Sequence, residues 1–310
     1  MKFENQPKET LLVLGAGELG IQVLRALSKK AQEHTQLKIS VLLRSDSAQA
    51  VSGSRKARLD ELMELGIDVV EGDLQENSID ELSEIFGSFD TIINCSGFVG
   101  GAGTQIKITQ AVLTATVARY YPWQFGVDYD VIGKGSGQQV WDEQLDVRHL
   151  LRAQNTTEWV IVSTGIFTSY LFEPDFGVVD AQSKTVYGLG NWQYAVTLTT
   201  PEDIGRLTAS IFFHQPAFRN EVVFIAGDTL TYSELADLMS AHWGNEINRK
   251  LLDGKKLQDD VQQHPQDVGA KYRLAFARPD GVAWSKENTF NHRQGMATTT
   301  AIQWLAKQHV

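Results

Sequence analysis

The chain has 310 residues, 42% hydrophobic and 21% charged, which suffices for one large α/β unit or two closely joined domains around a substantial core. A formal net charge of -10 repels phosphate backbones over most of the surface and argues against an extended nucleic-acid interface, yet local backbone dipoles still permit a single bound nucleotide. The one cysteine, Cys95, rules out an internal disulfide and fits a reducing, cytoplasmic setting.

Residues 1–10 carry charges of both signs and no apolar stretch, so they read as a polar lead-in and not a signal peptide. No segment approaches the roughly 18 to 20 apolar residues of a membrane span. Thr10–Leu14 is an apolar run ending in glycines, and Glu18–Lys30 follows with apolar residues at helical spacing. The alternation repeats: a strand at Lys38–Leu43, a helix over Arg58–Leu65, a strand at Ile67–Glu71, a helix over Ile79–Phe86 and a strand at Thr91–Cys95. After the glycine-rich Gly97–Gly103 come a helix from Thr104 to Ala118, a short strand at Arg119–Tyr121, a second glycine-rich loop at Gly133–Gly137, a helix over Val140–Ala153 and a strand at Trp159–Ser163. Short strands alternating with helices predict a doubly wound parallel sheet of six or seven strands with right-handed crossovers.

Past Thr164 the pattern changes to aromatic and glycine-rich loops, a helix after Pro201, a strand at Val222–Ala226, a helix after Thr231 and a terminal helix near Thr299–Lys307. We therefore expect residues 1–163 to form the sheet domain and 164–310 a smaller C-terminal substrate lobe, some of whose strands rejoin the main sheet. The seven histidines are scattered singly, no two of them at the i, i+4 spacing of a zinc helix, and no metal site is expected.

Gly15-Ala16-Gly17-Glu18-Leu19-Gly20 has GxGxxG spacing directly after a predicted strand and opens a predicted helix, the context in which the motif means dinucleotide binding. The first glycine permits the tight turn, the second lets a pyrophosphate approach the backbone, and the third lets helix and strand pack closely. Free N–H groups at the helix start then face the phosphates. This marks the first domain as an NAD(P)-binding Rossmann fold. At the end of the second strand, where NAD-selective sites place a carboxylate, the chain has Arg44. A guanidinium grips a 2'-phosphate that a carboxylate would repel, so NADP(H) is the expected cofactor. Arg55, Lys56 and Arg58 add positive charge a short loop later.

These segments, with the GDL at Gly72–Leu74, Gln105–Ile108, Tyr120–Asp130 and Trp141–Leu151, resemble the atypical short-chain dehydrogenases of the isoflavone reductase, phenylcoumaran benzylic ether reductase and NmrA-like group. The resemblance implies that Asp73 lies by the adenine, that Asn94–Phe98, including Ser96, Gly97 and Phe98, lines the middle of the cofactor, and that Gln105 and Phe125 border its nicotinamide half. It also implies that Thr164–Phe167 reach the nicotinamide face. Cys95 reads as a small buried apolar residue before it reads as a reactive thiol.

Two departures stand out. The group's glycine motif usually has one more residue between its first two glycines. Its reductases also carry a lysine where this chain has Gln144, and an amide offers hydrogen bonds but transfers no proton. Lys134, Tyr129 and His149 are the candidate substitutes, although His149 points away from the Gln144 face and Tyr129 and Lys134 do not form a Tyr-x-x-x-Lys dyad. Trp123, Phe125, Trp141, Phe167, Tyr170, Phe172, Trp192 and Tyr194 are candidate walls of an apolar pocket or ordinary core. Two readings follow. One is an NADP(H)-dependent reductase of a small aromatic or apolar substrate, working as a monomer or homodimer; the other is a non-catalytic NADP sensor that binds a protein partner, as the NmrA-like branch suggests.

Overall fold

In a computed structural model of the chain, residues 9–32, 37–49, 51–98, 100–244 and 246–308 are described. The polar lead-in falls almost wholly on residues 1–8, outside the described residues. In chain order the strands are β1 (Glu9–Leu14), β2 (Leu37–Leu43), β3 (Asp68–Glu71), β4 (Thr91–Asn94), β5 (Arg119–Tyr121), β6 (Glu158–Ser163), β7 (Ile166–Phe167), β8 (Val179–Asp180), β9 (Thr185–Leu189), β10 (Ala195–Thr199), β11 (Glu221–Phe224), β12 (Asp228–Thr231) and β13 (Asn248–Leu252). The helices are α1 (Glu18–Ala31), α2 (Ser45–Ala48), α3 (Gly53–Glu64), α4 (Ile79–Phe86), α5 (Thr104–Thr114), α6 (Tyr129–Ile132), α7 (Gln139–Arg152), α8 (Pro201–Phe212), α9 (Tyr232–Trp243), α10 (Gly254–Gln263), α11 (Val268–Phe276), α12 (Phe290–Arg293) and α13 (Ala301–Leu305).

The chain forms two compact units. One comprises Met1–Gln124, Asp146–Ile161 and Ile204–Val222; the other comprises Phe125–Leu145, Val162–Asp203 and Val223–Val310.

The first unit is built on a seven-stranded sheet in the order β11-β6-β5-β4-β1-β2-β3. The pairs β1/β2, β1/β4, β2/β3, β4/β5 and β5/β6 all run parallel. Strand order reverses at β1, where the path turns one way to β2 and the other to β4, and that switch point opens a crevice beyond the strands' carboxyl ends. The doubly wound α/β expectation therefore holds. Leu11 to Leu14 of β1 are fully buried, as a parallel strand covered on both faces requires. Around them Leu42, Leu82, Phe86, Ile92, Ile108 and Ile161 form a continuous core.

Local differences from the sequence expectation have physical causes. Helix α5 stops at Thr114 because Thr116 takes a left-handed φ of 52°. Helix α3 starts at Gly53, ahead of the expected Arg58, because its first turn has no buried residue to announce it.

The second unit holds two three-stranded sheets, β12-β10-β7 and β13-β9-β8, which the sequence did not suggest. Its core gathers Trp141, Leu171, Phe176, Val186, Tyr232, Met239 and Phe276. Rings meet there edge on, with Trp141 against Phe276 at 5.2 Å and Phe176 against Phe276 at 5.6 Å between centroids. No helix is long and apolar enough to cross a membrane, and no group of three or more potential metal ligands is gathered, both among the described residues.

Candidate nucleotide-binding site

The site starts at the end of β1. Gly15 has φ +88° and donates its N–H to the Leu42 carbonyl at 3.2 Å, which turns the chain back across β2. A Cβ on Gly20 would lie 2.2 Å from the Gly15 carbonyl oxygen, so only glycine lets α1 sit this close to the turn. A Cβ on Gly17 would meet nothing within 4 Å; that face is open to an incoming group. Gly17 is the N-cap of α1, and no side chain caps the helix. Its first N–H groups and the positive end of its dipole therefore face the crevice. Glu18 is exposed in the first turn, while the Leu19 side chain is buried in the core.

Beyond β2, Arg44 is the N-cap of α2. Ser45 Oγ and Gln49 Nε2 donate to the Glu71 carboxylate at 2.7 and 3.0 Å, tying α2 to the end of β3 and holding the Glu71 carboxyl below its ordinary range. Asp46 stands between two guanidiniums, 2.6 Å from Arg55 Nη1 and 3.9 Å from Arg44 Nε. Desolvation pushes the Asp46 carboxyl up, but Arg55 and Arg44 together pull it below the usual value. Lys56 is ion-paired with Asp60 one turn along α3.

Three cavities run along this edge. The central one, about 210 Å³, is lined by Gly15, Gly17, Leu42, Leu43, Arg44, Ser47, Gly72, Asp73, Leu74, Cys95 and Ser96. On one side it shares Arg44, Gly72 and Asp73 with a cavity of about 500 Å³ that adds Ser45, Asp46, Glu71, Asn77 and Ile85. On the other it shares Gly17, Leu43 and Ser47 with one of about 300 Å³ that adds Ala16, Ser54, Arg55, Arg58 and Leu59. Asp73 Oδ1 accepts the N–H groups of Gln75 and Glu76 at 2.8 and 3.2 Å, which shapes the turn carrying it.

The floor is fixed by a buried amide network. Asn94 Nδ2 donates to Gln105 Oε1 at 2.9 Å, Gln105 Nε2 donates to the Gly97 carbonyl at 2.7 Å, and Ser96 Oγ donates to Asn94 Oδ1 at 2.7 Å. Gln105 is thus a brace under the Ser96–Gly97 backbone, a role the sequence did not suggest. Cys95 is buried and desolvation raises its thiol well above the ordinary range, leaving it un-ionised at neutral pH. Phe98 is exposed on the glycine-rich loop.

In the second unit the Gly126 carbonyl accepts the N–H groups of Thr164 and Gly165 at 2.9 and 3.0 Å, so Phe125 and the Thr164–Phe167 segment lie side by side. Phe125 is buried and Phe167 half-buried. Tyr129 is buried in a T-shaped contact with Trp141, and Gln144 is buried on α7; Lys134 is exposed. His149 is also exposed, 3.8 Å from Asp146. Trp141, Tyr170 and Phe172 pack on other rings of the core, Phe172 stacked on Trp304 at 5.0 Å. Asp46, Ser47 and Ser54 escaped notice in the sequence, and Asn94, expected along the middle of the cofactor, serves here as the hub of the amide network.

A glycine turn feeding an uncapped helix at the switch point of a parallel sheet defines a Rossmann-type fold, the class in which dinucleotides bind at this crevice. The sequence model of the NmrA-like family matches residues 7–278. An NmrA-like family domain-containing oxidoreductase of Gibberella moniliformis is 46% identical over 298 residues, covering 96% of this chain and 97% of that protein. Among solved structures, an isoflavone reductase superposes with a TM-score of 0.78 at 20% identity, covering 98% of this chain and 100% of that one. A leucoanthocyanidin reductase from Vitis vinifera in complex with NADPH gives 0.77 at 18% identity, covering 96% and 98%. The chain belongs to the NmrA-like family.

Proposed function

We propose that this chain is an NADP(H)-dependent oxidoreductase that reduces a small aromatic or apolar molecule. The observation that carries the reading is the run of cavities from the open face of Gly17 to a cluster of guanidiniums, set in a chain whose net charge is -10. Cations concentrated there against the overall sign match the phosphates of a dinucleotide. The name of the Gibberella relative and the NADPH held by the Vitis vinifera reductase support it.

Gly15, Gly17 and the α1 N–H groups would hold the pyrophosphate, Asp73 and Ser96 would flank the adenosine and central parts, and the cofactor when bound supplies a hydride at its nicotinamide carbon. Phe125 and Phe167 are the candidates for the nicotinamide half. Gln144, buried where related reductases carry lysine, orients a substrate by hydrogen bonding and moves no proton. Protonation is then left to Tyr129, to Lys134 or to solvent. The aromatic preference rests on the relatives' names, since most of the candidate rings are packed into the second unit's core.

Two measurements test the reading. Titration with NADPH and NADH should show tighter binding of NADPH, and association of neither with the folded protein would end it. Consumption of NADPH should then be followed across aromatic alkenes, benzylic ethers, aldehydes and quinones. Tight NADPH binding with no turnover on any of them would favour the sensing role, which Gln144 also fits, and the next measurement is whether NADP+ and NADPH bind unequally.

A further inference from the structure

Four cations follow β2, and three of them are already answered by carboxylates. Arg44 and Arg55 share Asp46, and Lys56 pairs with Asp60. Arg58 differs. Its Nη1 is closed off from solvent and has no hydrogen-bond partner among the described residues. A buried guanidinium N–H without an acceptor is costly, and such a group calls for an anion that completes it. Arg58 lines the cavity of about 300 Å³ with Ala16 and Gly17 from the glycine turn, Ser47 from α2 and Ser54 and Arg55 from α3. That wall has hydroxyls and guanidiniums and no carboxylate. The cavity on the opposite flank, which Arg44 lines, carries Asp46, Glu71 and Asp73, three groups that repel an anion.

We propose that the phosphate monoester distinguishing NADP(H) from NAD(H) is taken in the α3-side cavity and read by Arg58, with Arg55, Ser47 and Ser54 completing its contacts. Arg58, more than Arg44, is then the specificity-determining residue. The proposal rests on the dinucleotide reading above. It assigns the doubly charged phosphate to the one guanidinium of this cluster that has no carboxylate partner among the described residues.

The test is direct titration of NADPH, NADH and adenosine 2',5'-bisphosphate against wild type, Arg58→Met, Arg58→Lys and Arg44→Ala, each checked for folding by circular dichroism. In Arg58→Met the dissociation constant for NADPH and for the bisphosphate should rise about 10- to 100-fold, the loss of charge-assisted hydrogen bonds, while that for NADH stays within about 3-fold. Arg44→Ala should cost less. If Arg58→Met does not fold, Arg58→Lys decides: a lysine lacks the planar fork, so NADPH should weaken several-fold against an unchanged NADH. NADPH affinity at the wild-type level in the folded Arg58 variants, with the loss appearing in Arg44→Ala, would overturn the assignment while leaving the NADP(H) reading intact. Wild-type protein that binds NADPH and NADH equally would overturn it as well, and binding of neither would remove the dinucleotide reading beneath it.

Discussion

At Gly17 and Gly20, three residues apart, the same substitution should have opposite consequences. Alanine at Gly20 would place a methyl 2.2 Å from the Gly15 carbonyl oxygen, backbone that cannot swing aside. The turn or α1 has to move, at a cost of about 1–3 kcal/mol or more, read as a lower Tm. Alanine at Gly17 would meet nothing within 4 Å and sits at a φ of -70°, so the fold should keep its Tm. Its methyl stands where a pyrophosphate would approach, so NADPH affinity should fall instead. Equal Tm losses in the two variants would show that Gly17 is held by packing and not by a ligand. The glycine turn was legible in the sequence because its signal is local: spacing, a preceding strand, a following helix. The ion pairs of Asp46 and the bracing contacts of Gln105 were not. Asp46 acquires its role only when α3 brings Arg55 to it, and Gln105 only when α5 lays its amide under β4.

Element boundaries follow the same division. Helix α4 keeps its expected span, and the structure closes its start with a reciprocal capping box, Ser78 Oγ accepting from the Glu81 N–H at 3.2 Å and Glu81 accepting from the Ser78 N–H at 2.7 Å. Ser78→Ala should therefore destabilise the protein by about 1 kcal/mol, measured by denaturant titration, and Ser78→Asp should restore most of it. No loss in the alanine variant would mean that α4 is held by Leu82 and Phe86 alone. In the second unit the signal fails for reasons of geometry. Strands β7 and β8 have two residues each, too short for any alternation to register. Helix α10 has only two apolar side chains beyond its first glycine, Leu257 and Val261 one turn apart, and buries only Leu257, so its apolar stripe is too short to mark a helix in the sequence. The small sheets are defined by tertiary pairing, such as β10 with β12 from Ala195 opposite Thr231 to Leu198 opposite Asp228, and not by local propensity.

At the scale of the whole molecule, a formal charge of -10 means that mild acidification first relieves self-repulsion. The trend should then reverse, because several carboxyls are held below their ordinary values of 3.8 for aspartate and 4.5 for glutamate. Glu71 is lowered by hydrogen bonds from Gln49 and Ser45, Glu81 by the backbone and hydroxyl of Ser78, and Asp180 by Ser183. For Asp46 desolvation acts upward, but Arg55 and Arg44 prevail. A carboxyl whose folded value lies below its unfolded value binds its proton more readily in the unfolded chain. Its contribution is complete above the unfolded value and disappears as pH falls through the folded one. Tm should accordingly stay level or rise slightly from pH 7 toward about pH 5, then fall once pH drops below about 4.5, each exposed group adding a small share. Asp46 links this curve to the site, since its protonation leaves Arg44 and Arg55 without their shared counter-charge and should strengthen the pull on an added phosphate. A Tm that continues to climb down to about pH 3.5 would show that relief of the net negative charge outweighs every local carboxylate partner.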